Sequence, residues 1–330
     1  MRMGLSVYGT TYGLGIDPRG GRPRIAPVPL LEHAHGLGLE GAEIPLDLME
    51  GVDPATVVAK AEELDMFVRA ETNAVEHEQL IADLQLAAKI GSPTLRTIIR
   101  GAKIGGDRRP LAGKWREYID WVGGELEQAL PVAKDLGMAI LLEDHQDIAS
   151  EEILEYGERF GNVNFGMVLD TSNAMATVEE PIDFARRMSA YIKHVHLKDY
   201  KLYWTDEGYL LIRCAAGQGY MDFPAIFQIL SEACPDVAMT IEVGALEARH
   251  VRMLSDDFWP DYPARTAAQL AQTMRFALAH ARPAGEDWRT PFEKGESAEA
   301  IMAYEDEELA ASIAHLTQAL NPYQPHHQGE

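Results

Sequence analysis

Short apolar runs alternate with helical stretches about eight times along this chain, and that alternation restricts the fold more than any other feature. Strands are predicted at 4–8, 41–46, 66–72, 94–100, 139–145, 165–170, 191–199 and 238–243. Between and after them, helices are predicted at 30–37, 55–64, 76–90, 114–136, 151–160, 181–188, 223–233 and 263–281. A helix between successive strands is the crossover that parallel neighbours require. Eight such units spread over about 280 residues suit a closed, parallel eight-stranded (β/α)8 TIM barrel better than an open doubly wound sheet. No GxGxxG follows the first run, so a dinucleotide fold loses support and no nucleotide cofactor is expected.

The barrel is assigned to residues 1–281. Residues 282–330 form a C-terminal extension, first rich in Pro, Gly and charge and then helical over 297–320. Leu309, Ile313, Leu316 and Leu320 make one apolar stripe on that helix, for docking on the barrel or for a subunit contact. The final NPYQPHHQGE is expected to fray. Inside the barrel, the stretches 9–29 and 101–113 read as long loops, and Gly123, Gly124 and Pro131 as weak points of the helix 114–136.

Charge narrows the partners. The chain holds 52 acidic against 29 basic residues, a formal charge of -23, whereas binding a polyanion relies on clustered Lys and Arg. No nucleic acid is expected. Neither a signal-peptide core at the start nor a membrane-length apolar run is present in the sequence, so a cytoplasmic protein is expected. The two cysteines, Cys214 and Cys234, are too few for a disulfide framework and read as reduced thiols.

Four of the predicted strands end in an ionisable group. AILLEDH carries Glu143, FGMVLD ends at Asp170, AMTIEV carries Glu242, and in YIKHVHLKD the two-residue period places His194, His196 and Lys198 on one face. In a barrel, functional side chains gather at the C-terminal ends of the strands, where Glu143, Asp170, His196 and Glu242 would lie. Three carboxylates and an imidazole brought together repel one another without a cation, and a divalent metal accounts for all four. Oxygen-rich ligation with one nitrogen suits manganese first, with magnesium or cobalt close behind and zinc or iron also compatible.

The motifs LLEDH, VLDTSN, IKHVHLKD, GQGYMDFPAIF and TIEVG resemble the xylose isomerase-like barrel superfamily, which includes ketose 3-epimerases, hydroxypyruvate isomerases, inosose dehydratases and endonuclease IV. The resemblance spans residues 3–281. It implies Glu143, Asp170, His196 and Glu242 as metal ligands, with His194 a pocket neighbour. The endonuclease branch carries more metal-binding histidines and a basic face, both missing here. In the 3-epimerases the two glutamates also exchange the proton, and a sugar-binding histidine stands where this chain has Asn173. Glu143 is followed here by Asp144 and His145, a pattern that resembles the catalytic subunits of bacterial C-glycoside deglycosidases, in which a histidine near the metal is the base.

Those resemblances imply a divalent-metal-dependent enzyme that takes a proton from beside the carbonyl of a keto-sugar through an enediolate. The favoured expectation is a carbon-carbon lyase that eliminates the aglycone of a 3-keto-C-glycoside, with His145 as base. Alternatives are a sugar isomerase or ketose 3-epimerase, with Glu143 and Glu242 handling the proton, and a non-catalytic sugar-binding scaffold. The lyase reading implies a smaller β-rich partner subunit; an isomerase implies a homo-oligomer. His194, Lys198, Asn173, Arg213, Glu43 and Arg96 are candidates for binding substrate. Tyr200, Tyr203, Trp204 and Tyr209 are candidates for a stacking surface. Gly217-Gln218-Gly219 alone makes a poor phosphate cradle, so a phosphorylated sugar is not favoured.

Overall fold

The computed structural model describes residues 1–244 and 246–323. In chain order the strands are β1 (Arg2–Leu5), β2 (Gly41–Pro45), β3 (Phe67–Glu71), β4 (Thr94–Thr97), β5 (Ala139–Glu143), β6 (Phe165–Asp170), β7 (Ile192–Leu197), β8 (Asp199–Thr205), β9 (Gly208–Cys214), β10 (Ala238–Ile241) and β11 (Arg249–Val251). The helices are α1 (Pro27–Gly36), α2 (Pro54–Glu63), α3 (His77–Lys89), α4 (Trp115–Asp135), α5 (Ser150–Phe160), α6 (Pro181–Met188), α7 (Phe223–Ala233), α8 (Ala267–His280) and α9 (Ala298–Leu320). Strands β1 to β7 and then β10 close a parallel barrel, with β10 joining β7 to β1. This is the (β/α)8 TIM barrel the alternation predicts, with a C-terminal helix added.

The first strand lies earlier than expected. Arg2 to Leu5 pair residue for residue with Ala238 to Ile241, and the chain then turns away in a short 3-10 helix whose entry Ser6 caps by accepting from Tyr8 N at 3.2 Å. Gly4 allows the tight approach of β1 to β2, since a Cβ there would sit 2.5 Å from the Gly41 carbonyl oxygen. Helix α4 runs unbroken through Gly123, Gly124 and Pro131. Burial of Val122, Leu126, Ala129 and Ala133 on its barrel face outweighs the backbone hydrogen bond that proline forgoes.

The stretch after the seventh strand, which carries the candidates for a stacking surface, is a hairpin. In β8 and β9 alternate residues Tyr200, Leu202, Tyr209 and Leu211 are buried, and Trp204 pairs with Tyr209 across the turn. A period of two was present in DYKLYWT and GYLLIRC, masked by their polar and aromatic content. β11 adds a third antiparallel strand. The aromatic run is therefore packing: Tyr200 and Tyr209 are fully enclosed, and Tyr209 donates its hydroxyl to the Met175 carbonyl at 2.6 Å.

Beyond the hairpin, Gly217-Gln218-Gly219 cradles an anion supplied by the chain itself. The Asp199 carboxylate accepts from Gly217 N and Gly219 N at 2.9 Å each, from Met221 N at 3.1 Å and from Tyr200 N at 2.9 Å. A Cβ on Gly219 would lie 2.2 Å from that carboxylate.

Helix α9 buries Leu309, Leu316 and Leu320 in the main core, with Ile313 packed beside them. Two of its acidic residues are buried as well. Glu305 accepts from Thr11 N, Tyr12 N and Gly13 N at 2.8, 2.9 and 3.2 Å and from the Thr11 hydroxyl at 2.6 Å. Glu308 accepts from Ala215 N, and Ser312 Oγ from Ala216 N at 3.0 Å. The helix thus holds the loop after β1 and the loop after β9. Asn321–Tyr323, at the start of the segment expected to fray, form a 3-10 turn; residues 324–330 lie outside the described residues.

Candidate metal centre

The C-terminal ends of β5, β6, β7 and β10 bring Glu143, Asp170, His196 and Glu242 together, buried, with one donor atom of each within 4.8 Å of the others. Glu143 and Asp170 are the last residues of their strands and Glu242 directly follows β10, so each carboxylate projects from the rim of a rigid element. The remaining contacts divide each side chain in two. Glu143 Oε2 is gripped by Arg96. Asp170 Oδ2 accepts from Asn173 Nδ2 at 2.6 Å and from Lys198 Nζ. Glu242 Oε1 lies 3.0 Å from Lys198 Nζ and accepts from Arg213 at 3.1 Å. His196 Nε2 lies 2.8 Å from Glu43 Oε2.

What is left over is Glu143 Oε1, Asp170 Oδ1, His196 Nδ1 and Glu242 Oε2, each buried and making no hydrogen bond among the described residues, although His196 Nδ1 and Glu242 Oε2 lie 3.0 Å apart. Native interiors seldom leave buried polar atoms unpaired, and four in one place call for a common partner. Three oxygens and one nitrogen suit a hard or borderline divalent cation. Electrostatics show how much negative charge the cluster holds. Burial opposes a charged imidazole at His196, yet Glu43, Glu143 and Glu242 outweigh it and push its pKa well above the ordinary value. Burial likewise opposes ionised carboxylates, but Arg96 and His196 hold Glu143 below the usual range, and Lys198, His196 and Arg213 do so for Glu242.

The other candidates fall into three places. Glu43 and His194 lie one layer deeper in the barrel: Glu43 sits two residues before the end of β2 and His194 two before His196. His194 Nε2 is 3.7 Å from Glu43 Oε1 and 3.2 Å from Thr240 Oγ1, which donates to Glu43 Oε2 at 3.2 Å. A carboxylate behind a metal-facing histidine fixes its tautomer and aims its lone pair. Lys198, Asn173, Arg213 and Arg96 are brought to the ligands themselves, Lys198 between Asp170 and Glu242 and each of the others on one carboxylate as above. His145 stands apart. The strand does not continue to it; it follows β5 in a half-buried turn, in the field of Glu143, Arg96, Lys198 and Glu242, and makes no hydrogen bond among the described residues. Burial, ahead of its charged neighbours, lowers its pKa to about 4, which keeps the imidazole neutral and able to accept a proton at pH 7.

Several participants escaped sequence reasoning. Asp144 accepts from Asp170 N at 2.7 Å and so seats that ligand. Gln146, held in a left-handed conformation at φ 71, donates to Asn173 Oδ1 at 3.1 Å and thereby aims the Asn173 amide at Asp170. Glu71, buried at the end of β3, lies 3.4 Å from Arg96. Its signal was available, for MFVRAET is another short run ending in a carboxylate, interrupted by Arg69. Tyr8 stands beside it: the Glu71 charge and burial push its hydroxyl pKa up. A cavity of about 630 Å3 opens over both, walled by the loops after β1, β2 and β3 and by α3.

Residues 68–245, more than half of the chain, match the family described as xylose isomerase-like TIM barrel. The chain belongs to that family. Among curated proteins, this xylose isomerase-like barrel is 24% identical over 230 residues to the uncharacterised protein YihM of Escherichia coli (strain K12), covering 67% of each chain. Among solved structures it superposes on D-allulose 3-epimerase from Methylomonas sp. with a TM-score of 0.59 at 15% identity, covering 97% of this chain and 98% of that one. It also superposes on the 3-keto-D-glucoside 4-epimerase YcjR of E. coli with a TM-score of 0.57 at 14% identity, covering 84% and 99%. At such identities the likeness is one of fold. No helix among the described residues is long and apolar enough to cross a membrane.

Proposed function

We propose that this xylose isomerase-like barrel is a divalent-metal-dependent isomerase or epimerase of a keto-sugar, acting by removal of a proton beside the carbonyl. The observation that carries the reading is the set of four buried, unpaired donor atoms at the barrel mouth. Glu143, Asp170, His196 and Glu242 would hold the ion, manganese being our first choice. Bound there, it would supply Lewis acidity to a carbonyl and its neighbouring hydroxyl. The epimerases on the same fold, one named for an allulose and one for a 3-keto-glucoside, support a keto-sugar substrate.

The chain's own residues set the proton chemistry. Each glutamate has one oxygen paired with a cation, Arg96 for Glu143 and Lys198 with Arg213 for Glu242, and one oxygen left for the metal. Neither keeps an oxygen for the proton. His145 does have a free nitrogen, and in our reading it removes the proton as a neutral imidazole. Arg96 keeps Glu143 ionised, Lys198 with Arg213 does so for Glu242, and Lys198 counters the burial that raises the Asp170 pKa to about 6.

This arrangement also favours a second reading. Epimerisation through two faces of the sugar needs a proton donor on each face, whereas in an elimination one group can take the proton beside the carbonyl and return it to the aglycone carbon as the bond to the sugar breaks. One free base suits elimination, so cleavage of a 3-keto-C-glycoside, with a smaller partner subunit, stands as the alternative; a homo-oligomer goes with the isomerase. The test is turnover of the manganese-loaded protein in deuterated water on free ketoses, 3-keto-glucosides and 3-keto-C-glucosides. Metal-dependent deuterium incorporation without cleavage supports the isomerase or epimerase. Aglycone release moves the assignment to the lyase, and activity indifferent to metal removal sinks both.

A further inference from the structure

The cavity over Tyr8 and Glu71 is larger than a single sugar ring needs. Its volume of about 630 Å3 lies in the range of pockets that enclose drug-sized ligands, about 300–1,000 Å3. It adjoins the metal cluster through one ion pair, since Glu71 on its floor faces Arg96, which grips Glu143. Its lining is mixed: apolar Ile16, Leu46, Met49 and Leu86 share it with Asn73, Gln79 and several carboxylates.

Glu71 shows that this is a site prepared for a polar ligand. The residue is 3% exposed, and its Oε2, which faces Arg96 Nη1 at 3.4 Å, makes no hydrogen bond among the described residues. A ligand hydroxyl would supply the hydrogen bond that this buried oxygen lacks. Charge excludes other occupants. Five carboxylates, Asp47, Glu50, Glu71, Glu76 and Asp83, face two guanidinium groups, Arg24 and Arg100, and Arg24 is paired with Asp47 at 2.9 Å, so the balance of charge disfavours a phosphate or other anion. Tyr8 is the one aromatic ring among the described residues that line the cavity, too little for a flat aromatic group to be stacked on both faces. A pyranose, with an apolar ring face and a rim of hydroxyls, suits a lining of this mixed character.

We infer that the cavity is a subsite for a second, neutral sugar ring, and that the substrate is a keto-disaccharide or similar glycoside in place of a free or phosphorylated monosaccharide. The inference rests on the keto-sugar reading of the metal cluster. In it, Glu71 binds a hydroxyl of the second ring while the keto ring lies at Glu143 and Glu242.

Binding and turnover are measured separately. Manganese-loaded His145→Ala protein is titrated calorimetrically with 3-keto-glucose, its 6-phosphate, and the same keto ring carried on a glucose residue. The disaccharide is expected to bind at least about tenfold more tightly than the monosaccharide, a gain of about 1.4 kcal/mol, with the phosphate weakest. Ala74→Trp, which fills the cavity, and the isosteric Glu71→Gln, made in the same background, should each shrink that preference several-fold. Equal binding of mono- and disaccharide, tightest binding of the phosphate, or a preference that survives both substitutions overturns the subsite. Exchange kinetics of the wild-type holoenzyme decide the reaction independently: a disaccharide preference in binding without any exchange upholds the subsite and rejects the proposed chemistry. Exchange on 3-keto-glucose with no disaccharide preference does the reverse.

Discussion

At the scale of single residues, the site works by giving every charged atom one task. His196 is the clearest case, held through Nε2 by Glu43 while Nδ1 faces Glu242 Oε2 at 3.0 Å. Removing the charge behind such a histidine typically lowers metal affinity about 10–100-fold. Glu43→Gln should therefore weaken manganese binding by that order in a calorimetric titration while the fold is kept; unchanged affinity would leave Glu43 with no part in aiming His196. His145 makes the opposite prediction. Since it touches no ligand by hydrogen bond, His145→Ala should bind manganese as the wild type does and lose at least about a hundredfold in turnover, the usual contribution of a general base. Near-normal turnover would return the proton to Glu143 and Glu242.

At the scale of elements, the C-terminal helix belongs to the mouth of the barrel as much as to its outside. Glu305 on α9 ties down three successive backbone amides of the loop that carries Tyr8, and Glu308 with Ser312 ties down the loop after β9, the strand that presents Arg213. Cutting the Glu305 side chain back leaves those amides unpaired in a buried position, at about 1–3 kcal/mol each. Glu305→Ala should accordingly lower stability by about 3 kcal/mol or more, read as a shift in the denaturation midpoint at constant slope. A change within about 0.5 kcal/mol, the ordinary range for a surface substitution, would show the helix to be dispensable. Arg108 plays a similar part opposite, stacked 3.9 Å from both Trp115 and Tyr262 and bonded to Glu152 and to the carbonyls of Asp147 and Asp261. It thereby joins three of the rim loops.

For the whole molecule, the concentration of buried acid at one end of the barrel makes stability depend on pH. Asp147 is 2% exposed, its Oδ1 has no partner among the described residues, and burial raises its pKa to about 8. A carboxyl whose pKa is higher folded than unfolded binds its proton more tightly in the native state. Its contribution is whole below about pH 4 and is lost as pH rises toward 8. Asp147→Asn removes that dependence, so the melting temperature of the variant minus that of the wild type should increase steadily between pH 4 and pH 8. A difference that is flat or falls over this window would contradict the assignment.

Much of the barrel was legible in the residues because its elements are local. The two-residue and helical periods, and carboxylates at the ends of apolar runs, depend only on neighbours in the chain, and they marked seven of the eight barrel strands in place along with Glu143, Asp170, His196 and Glu242. The hairpin β8–β9 and the early start of β1 were less readable, since both are decided by the partner strand and not by the strand's own composition. The same holds for the pairing of charges. Arg96, Lys198 and Arg213 read alike in the sequence as basic residues near a site, and Glu43 as an acid near its rim. Only closure of the barrel put Arg96 on Glu143, Lys198 between Asp170 and Glu242, and Glu43 beneath His196. The sequence by itself determined which side chains sit at strand ends; the tertiary structure decided which atom of each is already satisfied and which is left for a ligand, because hydrogen bonding between strands far apart in the chain exists only once the sheet has closed.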